Sequence, residues 1–174
     1  MSLSRRLLAA GCALSLAVAA WPAAGQWSGW DYDRDALKKE RPELPVKPPA
    51  YPREGNLLQF DAGAATGHRF FIDPESISVG EDGVVRYTLV VRTAAGATNV
   101  SYEGIRCDER QLKVYAFGRR DGSWAPARHP QWRRIEHQEV NRHHGTLYSD
   151  ILCRGRTAVK SAQEAVNAIR YGQK

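Results

Sequence analysis

The side chains best able to do chemistry are concentrated between Arg119 and His144. In "RRDGSWAPARHPQWRRIEHQEVNRHH" six arginines (Arg119, Arg120, Arg128, Arg133, Arg134 and Arg142) are interleaved with Trp124 and Trp132. A guanidinium offers a planar fork of donors to phosphate or carboxylate, and an indole offers a face for stacking, so the pair suits an anionic or sugar-like ligand. The opposing reading is mechanical. Indoles are what a long loop uses to pin itself to a sheet, and Asp121, Glu136 and Glu139 dilute the positive charge. The possible binding surface read from this segment comprises Arg119, Arg120, Trp124, Arg128, Trp132, Arg133 and Arg134.

The same stretch holds His129, His137, His143 and His144. Imidazoles near carboxylates can ligate metal or act as a base, so a small hydrolase or metal-dependent enzyme around His137 and His143 is the alternative reading. The spacing argues against it. There is no H-E-x-x-H or H-x-H pattern, and adjacent histidines do not easily share one metal. No G-x-S-x-G elbow and no glycine-rich phosphate loop occurs, and Asp108 with Glu109 reads as a solvated turn. No catalytic residue, metal site or cofactor is expected. An ordered His137–His143–carboxylate cluster in a cleft would reverse that judgement.

Cysteine chemistry depends on the compartment, which the N-terminus indicates. "MSLSRRLLAAGCALSLAVAAWPAAGQ" has a basic start, an apolar run from Leu7 to Trp21 and a small-residue end, the marks of a secretory signal with cleavage near Gly25. A lipid-modified Cys12 would leave only Leu7 to Gly11 as the hydrophobic region, which is too short. The run is also shorter than the roughly 20 residues of a membrane span. No transmembrane segment remains in the mature form. Cleavage at residue 25 leaves 149 residues and takes the formal charge from +6 to +4. A chain of that size can bury the core of one domain, and so small a charge gives no reason to expect nucleic acid as a partner. Cys107 and Cys153 then remain as an even pair in an exported protein, most simply a disulfide.

These side chains need elements to position them. Residues 26–55 read as a proline-rich arm, with Pro42, Pro45, Pro48, Pro49 and Pro52 excluding regular helix or central strand. Residues 56–174 read as one α+β domain. "NLLQF" and "HRFFI" are short strands, the second ended by Asp73-Pro74. "SISV" and "VVRYTLVVRT" are joined by the turn "GEDG". Val85, Tyr87, Leu89 and Val91 alternate with Arg86, Thr88, Val90 and Arg92, which predicts a half-buried antiparallel strand. "TNVSYEGIRC" and "QLKVYAFG" continue the meander, with Ile105 and Cys107 on one face. "TLYSDILC" has helical spacing. "SAQEAVNAIRYG" combines a capping box from Ser161 to Glu164 with a narrow apolar stripe and Gly172 at its end. The expected fold class is α+β: an antiparallel β-sheet meander with a C-terminal helix packed on one face, preceded by the extended arm.

The order of these parts, and the blocks "FFIDPESISVGEDGVVRYTLVVRTAAGATNVSYEGIRC", "YAFGRRDGSWAPAR" and "TLYSDILC", resemble the CNP1-like family, named for a cryptic neisserial protein. The similarity runs from about Trp30 onward, with "NVSYEGIRC" its most specific part. It implies a periplasmic location in Gram-negative bacteria and a cysteine pair matching Cys107 and Cys153. It supplies no catalytic residues. Some members look like lipoproteins, and this sequence departs from them by lacking a properly placed lipobox. The expected function is that of a non-catalytic periplasmic binding or envelope-assembly module, with an envelope protein or anionic envelope polymer as partner.

Overall fold

Alternating valine, tyrosine and leucine around Tyr87 set the middle of a sheet. The structure is a computed structural model that describes residues 42–63, 67–136 and 142–172. The signal segment, the first part of the arm and His137 lie outside those residues. The strands are β1 (Leu58–Phe60), β2 (Arg69–Val79), β3 (Val84–Arg92), β4 (Thr98–Arg106), β5 (Gln111–Gly118), β6 (Trp124–Pro126) and β7 (Arg133–Arg134). From β1 to β6 each strand pairs with the next, and β7 returns to β5, giving one seven-stranded sheet among the described residues. All of these pairings are antiparallel, so the sheet is the meander that the strand spacing predicts. Asp73-Pro74 does not end a strand. β2 continues to Val79, and a register shift between Asp73 and Ser78 absorbs the proline, which has no N–H to give the ladder.

The half-buried reading of β3 is corrected by the structure. Every residue from Val84 to Val90 is buried, on both faces. The reason lies in the chain before β1, because residues 42–57 cover the second face. Tyr51 and Leu57 pack with Trp124 against Phe71, Val90 and Val100. The Trp124 indole N–H donates to the Pro49 carbonyl at 2.9 Å, and the Leu44 amide donates to the Asp82 carboxylate at 2.9 Å.

Burying Arg86 under this cover requires a counter-charge, and Asp82 provides it through two hydrogen bonds of 3.1 and 2.5 Å. Burial opposes both charges. The pairing outweighs it, holding the Asp82 carboxyl below its usual value and Arg86 above its own. Gly104 makes room for Tyr115 on this face. A Cβ there would come within 2.7 Å of the Tyr115 hydroxyl and 2.9 Å of Val84.

The other face carries the helices. α1 (Arg142–Thr146) runs directly into a π-helical turn, Leu147–Leu152, then a small hairpin of β8 (Cys153–Arg154) and β9 (Thr157–Ala158), and finally α2 (Ala162–Tyr171). Leu147, Ile151 and Leu152 share the main core with Val85, Tyr87, Ile105 and Leu112. Ser161 caps α2 by accepting from the Glu164 amide at 3.2 Å, and Glu164 accepts from the Lys160 amide at 2.7 Å. Ala165, Val166 and Ile169 are the buried stripe of α2. Gly172 closes the helix in the right-handed region, at φ −91°, and not in the left-handed conformation of a C′ glycine. A disulfide joins Cys107 to Cys153, with Cα atoms 5.6 Å apart, and ties the end of β4 to the helical layer. Among the described residues no helix is long and apolar enough to cross a membrane.

Candidate functional site

Side chains alternate faces along a strand, so in β4 Ser101, Glu103 and Ile105 all point to the helix side. That places a carboxylate where the pattern calls for an apolar residue. Glu103 is only 3% exposed, and leaving it unpaired there would cost several kcal/mol. Three side chains satisfy it. The Tyr87 hydroxyl donates to Oε2 at 2.9 Å, the Ser101 hydroxyl donates to Oε1 at 2.6 Å, and His144 Nε2 lies 2.9 Å from Oε2. Burial works to raise the Glu103 carboxyl. The charge and hydrogen bond of His144, together with Ser101 and Tyr87, outweigh that effect and hold it below the ordinary glutamate value. An ionised carboxylate only accepts hydrogen bonds, so Nε2 of His144 carries a hydrogen and donates it. Burial and the neighbouring carboxylate push the Tyr87 phenol well above its usual value, so it stays a donor.

His143 occupies a different environment. Its ring stacks on Phe70 with centroids 4.7 Å apart and lies 4.0 Å from that of His144. Burial first, then the charge of His144, bring its pKa down from 6.5 to about 4. His143 therefore faces an aromatic ring, and His144 is the histidine that meets a carboxylate. His137 lies outside the described residues, so the proposed His137–His143–carboxylate cluster is not assembled among them. No group of three or more histidine, cysteine, aspartate or glutamate side chains among the described residues is arranged to hold a metal ion.

His144 also lines a cavity of about 500 Å³ beside β7. Leu112 and Val114 of β5 form its apolar side with Ile135, while Arg133, Arg134 and Glu136 supply the charged rim. Arg133 and Arg134 are exposed, held in place by the pairing of β7 with Leu112 and Gln111 of β5. The other arginines of the segment lie elsewhere. Arg119 and Arg120 follow the Gly118 end of β5, where β6 pairs. At about 3.3 Å per residue this end is roughly 20 Å from β7. Arg128 is exposed in the connection between β6 and β7.

Both indoles serve the covering segment. Trp124 is bonded to Pro49, as described. Trp132 donates to Glu43 at 3.3 Å, lies beneath the Arg106 guanidinium at 4.3 Å and meets Tyr115 edge-on. The segment thus splits into a basic pocket at one end of β5, a basic turn at the other, and two tryptophans packed on the opposite face of the sheet.

Chemically, the arrangement orients an imidazole without arming a nucleophile. The Ser101 hydroxyl is committed to Glu103, and it reaches a different oxygen from the one that holds His144. Sequence reasoning missed Glu103, Ser101, Tyr87 and His144 as a unit. The available signal was Glu103 itself, a charged residue in phase with Ile105 and Cys107. No curated protein and no solved structure matches the chain. The profile of the CNP1-like family matches residues 36–170, which include every strand among the described residues, the disulfide and the basic pocket just described. The chain belongs to the CNP1-like family.

Proposed function

We propose that this protein is a non-catalytic periplasmic module for binding or envelope assembly, and that it meets an anionic envelope partner through the arginine-bearing edge at β7. The observation that carries this reading is the division of labour in the segment from Arg119 to His144. Arg133 and Arg134 are exposed beside a cavity, whereas Trp124 and Trp132 are engaged by residues 42–57. The commitment of Ser101 to Glu103 supports a binding role over a hydrolytic one. The disulfide fits an oxidising compartment and, with the family membership, supports a periplasmic site of action.

Exposed arginines attract anions over a Debye length of about 8 Å at physiological salt and about 3 Å at 1 M. Association with vesicles containing phosphatidylglycerol should therefore weaken steeply as salt is raised, and phosphatidylcholine vesicles should bind little. Replacing Arg133 and Arg134 together by alanine should cut association severalfold while leaving the melting temperature nearly unchanged. Replacing Trp124 or Trp132 should instead lower the melting temperature. Equal vesicle binding by the folded double-arginine variant at low salt would exclude this surface.

A further inference from the structure

The π-helical turn Leu147–Leu152 directs Leu147, Ile151 and Leu152 into the core and leaves Ser149 and Asp150 exposed. Turns of this kind recur at functional sites. Beside it runs α2, on which Gln163, Asn167 and Tyr171 follow one another at four-residue spacing and share one face. The two elements border a cavity of about 670 Å³, a size within the range of small-molecule sites, roughly 300–1,000 Å³. Its floor is apolar, made by Ile151, Cys153, Val159 and Ala168. The disulfide at Cys153 fixes one side of that floor.

We infer that this cavity binds a neutral sugar ring, with Tyr171 as the stacking platform and Asp150, Gln163 and Asn167 as partners for its hydroxyl groups. The inference concerns a second site and does not rest on the arginine-bearing edge at β7. Tyr171 is 73% exposed, more than any other large apolar side chain among the described residues. A lone exposed aromatic is ordinary on a protein surface. This one borders a cavity whose rim offers both donors and acceptors. Gln163 Nε2 donates to Asn167 Oδ1 at 2.9 Å, which leaves Gln163 Oε1 to accept and Asn167 Nδ2 to donate. The Asp150 carboxylate adds acceptors only, and the Tyr171 hydroxyl can act in either sense. Sugar hydroxyls also donate and accept, while the C–H face of a pyranose is apolar enough to lie on a phenol ring. Charge narrows the choice further. The Arg154 guanidinium is bonded to Glu164 at 2.7 Å, so Asp150 leaves the lining net negative. A phosphate or carboxylate ligand is thereby disfavoured. A purely apolar ligand would desolvate Asp150 and the two amides without pairing them.

The probes are cellotriose and tri-N-acetylchitotriose, added to the exported, isotopically labelled protein at about 10 mM, well above the Kd of a weak millimolar complex. At least one of them should shift the NMR signals of Gln163, Asn167 and Tyr171. The ligand is uncharged, so the effect should persist at about 1 M salt, where exposed charges are screened within roughly 3 Å. Tyr171→Ala should weaken binding about tenfold, Asp150→Asn severalfold, and Tyr171→Phe should keep most of it because the ring remains. These residues are exposed, and the variants should keep the melting temperature of the original. If neither sugar moves these signals, or if Tyr171→Ala binds as tightly as the original, the inference is overturned. Shifts confined to Arg133 and Arg134, or binding abolished by salt, would overturn it equally. The double-arginine variant should bind sugar normally, so failure of this site and failure of the β7 surface are read separately.

Discussion

His143 lies between Phe70 and His144, and charging its ring there means placing a partly desolvated cation beside a second imidazole. Its pKa of about 4, against an ordinary 6.5, makes folding sensitive to acid. Above about 6.5 the ring is neutral in both folded and unfolded chains, and its contribution to stability is complete. As pH falls toward 4 the unfolded chain takes up the proton first, so stability is lost. Glu103, also held below its usual value, loses its contribution in the same direction at still lower pH. The melting temperature should therefore drop between pH 7 and pH 4.5. His143→Phe, which keeps the stack and removes the titration, should flatten the upper part of that curve. Parallel curves for the two proteins would show that His143 is not the responsible group. Tyr87→Phe tests the other side of Glu103: losing one hydrogen bond to a charged group should cost about 1.5–3 kcal/mol in chemical denaturation.

At the level of elements, the disulfide and the helix cap make separable contributions. Closing a loop across a sequence separation of 46 residues stabilises the fold by about 4 kcal/mol in the chain-entropy model. Cys107→Ser and Cys153→Ser should each lower stability by a similar amount, and the double variant by little more, because either change removes the same link. Two titratable thiols in the unreduced, unfolded protein would refute the pairing in solution. Ser161→Ala, which deprives the Glu164 amide of its acceptor, should cost about 1 kcal/mol.

These elements also show where the chain was legible. The capping box, the alternation in β3 and the even cysteine count each rest on local rules, and they led to α2, the meander and the disulfide. What stayed hidden was non-local. Val84 to Val90 became buried on both sides because residues some thirty-five positions earlier fold over them. Asp82 looked like a turn residue in "GEDG" until Arg86 was buried beside it. His144 could be paired with Glu103 only once the helical layer had been placed on β4, across 41 residues of sequence. The arginine segment read as one surface because spacing along a chain does not reveal that β5 separates its two ends.

For the molecule as a whole, residues 42–57 act as a second wall of the core. Glu43 pairs with Lys113 at 2.7 Å, Leu44 reaches Asp82, and Tyr51 packs on Trp124. Removal of the chain through Arg53 should therefore expose Phe71, Val90 and Val100 and leave the Asp82–Arg86 pair in contact with water. The expected outcome is a large fall in the melting temperature with increased binding of a hydrophobic dye. A truncated protein as stable as the original would mean that this wall adds no net stability.

The placement of β6 and β7 on the same flank of β5 has a consequence for how copies of this protein meet. One shields Ala116 to Gly118, the other shields Gln111 and Leu112, and between them the Ala127 amide donates to the Tyr115 carbonyl at 2.8 Å. On the opposite flank β1 is three residues long, and the stretch of β2 beyond it holds Pro74 and the register shift. Short, interrupted or proline-bearing borders are poor templates for adding another strand. Among the described residues, neither border of this sheet invites a neighbour to extend the ladder, so fibre growth and strand exchange through these borders are disfavoured.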